Sequence, residues 1–203
     1  MSAPRSDSTR RRAAGWTLAL LLVGMRPLLA APVDSSSYDD LLQRYVVQER
    51  YVDYAAWHAN AEDLEALHDY VRTLEDTDTE ALSRDEALAY WINLYNAATL
   101  RLVLDHWPVV SIRDLGGRNP TIFEEELIEV RGQPMSLDAI ENDMLRARHP
   151  DPRIHFALNC ASVSCPPLFP HAFTGRDIDA DLDTVTRRAV SDPFWVDLSQ
   201  CSG

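Results

Sequence analysis

The sequence predicts an α+β fold, in which a long buried central helix and further helices pack on a small, mainly antiparallel sheet. Two observations carry this. Residues 84–106 present apolar side chains on nearly every face, the pattern of a helix enclosed by its own core. Short extended runs at 51–54, 123–130 and 154–158 are set apart by proline, glycine and polar turns, as strands of a small sheet would be.

The chain opens with Arg5, Arg10, Arg11 and Arg12, an apolar run over 13–25, and the small residues Ala30 and Ala31. That order of basic, apolar and small residues predicts a cleavable signal peptide over 1–30. The apolar run, about 13 residues, falls short of the roughly 20 that a membrane span needs. No cysteine stands at the cut to take a lipid, and the residues after Arg10-Arg11 do not complete a twin-arginine pattern. The expected location is the periplasm or the medium, with no stable membrane anchor after cleavage.

Residues 31–50 read as a polar lead and a first helix over 38–47, and residues 51–192 as one main domain, followed by a short tail over 193–203. Asn60 caps a helix running to Leu74, with Leu64, Leu67, Val71 and Leu74 on one stripe. Ser83 and Glu86 form a capping box that opens the central helix, and Pro108 ends it. Asn93, Asn96, Arg101 and Asp105 interrupt its apolar run, so it reads as a core helix rather than a span. Residues 112–115 form a short turn or helix, and 123–130 with Gly132 suggest a strand pair. Ser136 caps a helix to Arg146 with Ile140 and Met144 inward, 154–158 read as an interior strand, and Thr174 and Asp177 open a final helix to Val190.

The full chain has 19 basic and 32 acidic residues, a formal charge of −13. Residues 1–30 hold five of the basic groups and one of the acids, so the remainder carries 14 against 31, or −17. Such an excess repels phosphate backbones and anionic lipid, which disfavours nucleic-acid and membrane-surface binding. A soluble protein or small-molecule partner is expected. The chain contains no lysine, which excludes Schiff-base and lysine-base chemistry.

The densest set of reactive side chains is His155, Asn159, Cys160, Cys165 and His171. On a strand, His155, Ala157 and Asn159 would share one face and Cys160 the other, which separates Cys160 from His155. Three readings of Cys160 and Cys165 remain open: a disulfide closing a tight loop, a Cys165 nucleophile with His155 or His171 as base, or buried inert thiols. Cys-x4-Cys with His171 lacks the usual zinc spacing, and no metal or cofactor is implied. Asn93 and Asn96 lie on one helix face, so their amides should meet. They either brace loops in the core or orient a histidine and a substrate carbonyl.

Tyr90-Trp91-Ile92-Asn93-Leu94-Tyr95-Asn96-Ala97, the run from Pro108 to Ile112, Ile154-His155-Phe156-Ala157-Leu158-Asn159-Cys160-Ala161 and Cys165-Pro166-Pro167-Leu168 together resemble the family called domain of unknown function 547, over about 52–190. The resemblance implies a fold and a set of motif positions but no reaction. Residues 192–203, with Cys201, depart from the strand and aromatic, acidic tail with which the family usually continues.

Two functions fit these residues. The first is a non-catalytic binding or structural module of the envelope, with Cys160 and Cys165 bridged and the asparagines structural. The second is a Cys/His hydrolase or acyl-transferase acting on peptide-like amides: Cys165 as nucleophile, His155 as base, Asn93 or Asn96 as orienter. Papain-like and transglutaminase-like hydrolases share the layout of a central helix and a His-bearing strand. They place the nucleophile at the start of that helix, where this chain has no cysteine. The state of the two thiols separates the readings.

Overall fold

The computed structural model describes residues 31–193; the expected leader, nearly all of the tail and Cys201 lie outside the described residues. Helix α1 (Ser36–Tyr45) leads into strand β1 (Val46–Val47), which pairs antiparallel with β2 (Tyr51–Val52) in the register Val46 to Val52. A short helix unforeseen in the sequence, α2 (Tyr54–Ala59), follows with Asp53 as its cap. Asn60 then accepts from the Glu62 and Asp63 amides and starts α3 (Ala61–Glu75). Asp63 ties the three helices together, because its carboxylate accepts from Arg44 Nη1 and Tyr45 OH, both at 2.5 Å, while its carbonyl accepts from Trp57 Nε1. Burial pushes its pKa up, but the bonds from Tyr45 and Arg44 outweigh this and hold it below the ordinary value.

Helix α4 (Arg84–Asp105) is the axis of the domain. Its first turn carries the expected capping box, with the Glu86 amide donating to Ser83 Oγ and the Ser83 amide to Glu86 Oε2. Every residue from Leu88 to Leu100 is buried, so the helix meets protein on all sides. Helices α2 and α3 and the later elements surround it. The second ribbon pairs β3 (Ile128–Val130) with β4 (Gln133–Met135). Its two-residue turn, Arg131-Gly132, has positive φ at both positions, the geometry that matches the right-handed twist of a hairpin. The ordinary α turn α5 (Leu137–Ala139), capped by Ser136, continues as π-helix through Ile140–Arg146. That wider turn changes which side chains face inward. Ile140 and Leu145 are buried, and Met144, expected inside, sits half-buried at the core edge.

The predicted strand over 154–158 is a correction. Residues Pro152–Phe156 form a 3-10 helix, started by Pro152 in its first turn and by an Arg153 amide bond to Asp151 Oδ1. The Arg153 guanidinium then bridges Asp151, Asp179 and Asp183, pinning this helix to α6 (Ile178–Ser191). The α+β class holds, but its sheet is two separate two-stranded antiparallel ribbons, and neither contains His155. Among the described residues no helix is long and apolar enough to cross a membrane.

Two measurements test this core. Trp91 is 3% exposed and packs edge-on to Tyr90; Trp91→Ala should cost roughly 3–5 kcal/mol in urea unfolding. His149 is buried beside Arg84 and Arg148, and burial first, then those cations, lower its pKa below 6.5. The folded state therefore resists protonation that the unfolded chain accepts. Stability should be full above 6.5 and decline as pH falls through that value, and His149→Gln should remove that part of the decline.

Candidate functional site

Between the Pro152–Phe156 helix and α6 the chain runs without regular structure, and α4 holds it with side-chain amides. Asn96 donates from Nδ2 to the Ala157 carbonyl at 2.9 Å and accepts the Asn159 amide on Oδ1 at 2.9 Å. Asn93 repeats the arrangement at Phe173, donating to its carbonyl at 2.8 Å and accepting its amide at 3.0 Å. A carboxamide carries a donor and an acceptor side by side, so each asparagine presents what a neighbouring strand would. Both are 3% exposed. The two amides do not meet, as their spacing suggested; each clamps a different stretch of backbone.

Asn159 extends the chain of clamps outward. It donates to the Pro166 carbonyl at 2.8 Å and accepts the Ala161 amide at 3.0 Å, closing the base of a loop. Within that loop Cys160 and Cys165 are disulfide-bonded across a Cα separation of 6.0 Å. The Cys165 amide also donates to the Ser162 carbonyl, forming a turn inside the bridge. Ser162, Val163 and Ser164 are exposed at its tip. A bridge closing so short a loop contributes only about 2 kcal/mol through chain entropy.

The four residues expected to act together thus occupy separate roles. Cys165 is bonded to Cys160, and Asn93 and Asn96 hold backbone. His155 is exposed on the 3-10 helix with its ring edge-on to Phe156, and among the described residues no hydrogen bond joins it to Cys165. What the sequence did not disclose is a cleft of about 860 Å³ at the other end of the region, against the first turns of α4. Its floor is Leu74, Ala89, Tyr90 and Phe173; its rim includes Asp34, Asp85, Asp177 and Asp181, with Arg176 and His171. Asp39 fastens one wall, accepting the Ala172 amide at 2.8 Å and pairing with His171 Nδ1 at 3.3 Å. Gly175 lets that wall close on the helix, since a Cβ there would lie 2.8 Å from the Glu86 amide nitrogen. Burial first, and then the charges of Asp177 and Asp39, raise the pKa of Asp181. The signal for this site was scattered over the lead, α1, α4 and α6, so no single motif announced it.

Residues 79–189, more than half of the 203, match a family model described as a protein of unknown function, DUF547. The chain belongs to the DUF547 family. The matched span contains α4, the clamped segment, the disulfide loop and most of α6, so the DUF547 region includes both the clamps and the backbone they hold. Residues of the lead and α1, which complete one wall of the cleft, lie before it. No curated protein and no solved structure matches this DUF547 chain significantly.

If Asn96 is the clamp described, Asn96→Leu strands the Ala157 carbonyl and the Asn159 amide. Each buried unpaired group costs about 1–3 kcal/mol, so the midpoint of denaturant unfolding should fall sharply. Asn96→Asp, which sets a carboxyl oxygen against the Ala157 carbonyl in a buried place, should also lower the midpoint, and more so as pH rises and the carboxyl ionises.

Proposed function

We propose that this DUF547 chain is an exported, non-catalytic binding module of the envelope whose ligand enters the cleft at the start of α4. The observation that carries the reading is that the reactive constellation is closed on itself. The two sulfurs bond to each other, and each asparagine amide commits a donor and its oxygen to backbone. Open to solvent at the start of α4 is a concavity of about 860 Å³, within the usual range of about 300–1,000 Å³ for small-ligand sites. Its apolar floor supplies contact area, and the carboxylates on its rim add to the net charge of the domain. A soluble cationic ligand, a small molecule or a basic peptide segment, is attracted by that field; polyphosphates, nucleic acids and anionic lipid are repelled.

Thermal unfolding with an arginine-rich peptide and with a polyglutamate peptide tests this. The cationic peptide at about 100 times its Kd should stabilise the fold by about 2.7 kcal/mol, a rise of about 5–10 °C in Tm. Added salt and Asp85→Asn, which changes an exposed rim carboxylate, should both reduce the shift. Equal shifts with both peptides remove the charge argument. Cleavage of the peptide that is abolished by alkylating Cys165 replaces this reading with the hydrolase.

A further inference from the structure

We infer that the Cys160–Cys165 bridge is a reversible redox site, opened and reclosed by thiol–disulfide exchange with a soluble dithiol while the domain stays folded. The inference is independent of the cleft. A bridge that serves stability ties together segments the fold would otherwise let drift. This one spans five positions, and hydrogen bonds already hold both of its ends. Asn159 joins Ala161 to Pro166 across the loop base, and Asn96 fixes Asn159 to the buried helix. Cutting the sulfur bond therefore frees the loop tip and leaves its base in place.

Both cysteines are half-buried and the tip is exposed, with Val163 at 76%, so the bridge lies at the surface where a thiolate can approach it. The Cys165 amide bond to the Ser162 carbonyl, 2.9 Å, and the Asn159 bonds to Ala161 and Pro166 flank the two cysteines and use neither sulfur. Together they hold the two thiol positions near each other, which favours intramolecular reclosure over reaction with a second molecule.

The chemistry balances with a dithiol as reductant. Its thiolate attacks one bridge sulfur and forms a mixed disulfide, and the electron pair of the broken S–S bond leaves on the other cysteine, which takes a proton from water. The reductant's second thiolate then attacks the mixed disulfide, releasing the remaining cysteine as a thiolate that also takes a proton. Two electrons and two protons have moved to the chain, and the reductant leaves as a disulfide.

The test uses full-length protein carrying Cys201→Ser, so that only the bridge can respond. Treated with dithiothreitol in native buffer and then iodoacetamide, it should gain two carbamidomethyl groups while keeping its circular-dichroism spectrum and a cooperative melt. Hydrogen exchange should quicken at Ser162, Val163 and Ser164 and stay unchanged at Ala161, at Phe173 and along α4. Returned to a glutathione buffer containing the oxidised form, it should recover the bridge quantitatively. In Cys160→Ser with Cys201→Ser, Cys165 should form a mixed disulfide with glutathione. A bridge that opens only in denaturant, or a reduction that unfolds the domain or loosens Phe173, overturns the inference.

Discussion

The domain depends on the way α4 hydrogen-bonds to backbone that has no secondary structure of its own. From Ala157 to Phe173 the chain makes neither helix nor strand, and several of its peptide groups lie where water does not reach. Buried peptide groups must find partners. Asn93 and Asn96 supply them from one helix, in the paired donor and acceptor geometry of a strand edge. This explains polar amides in a stretch otherwise sealed by apolar contact. Leucine at those positions would pack, yet leave carbonyls and amides unmet.

The local signals of the sequence were faithful wherever a helix was specified by its own termini. The Ser83–Glu86 box and the Asn60 and Ser136 caps start helices where the sequence places them, because a cap acts over three or four residues and needs nothing distant. The 154–158 segment misled for the opposite reason. Its nearly continuous apolar run is that of an interior strand, but Pro152 and the three carboxylates gathered by Arg153 hold it in a 3-10 turn, and two of those carboxylates come from α6, far along the chain. The asparagines were recognisable as buried amides in need of partners; which backbone they would clamp depended on the path of a loop without periodicity. The cleft was illegible because its walls are brought together only by the tertiary fold.

Charge follows a related division of labour. With no lysine, the chain relies on arginine for every strong cation, and the fold engages several in internal bridges: Arg44 with Asp63, Arg101 with Glu75, Arg153 with its three aspartates. Planar guanidinium forks suit such bridges because one group can satisfy several oxygens at fixed angles. The acids around the cleft share its lining with Arg176 and with His171, which pairs with Asp39. The same residue economy that knits the helices together leaves the concavity negative.

The clamps at Asn96 and Asn93 grip main-chain atoms, and main-chain atoms are common to all residues. The clamps therefore fix where the intervening segment starts and ends without reading what it spells. Between them Leu168, Phe169 and Ala172 return to the core, and Ser162, Val163 and Ser164 stand clear of it. In an engineer's terms the tip at 162–164 is a display position, where other sequences can be mounted without redesigning the core beneath it.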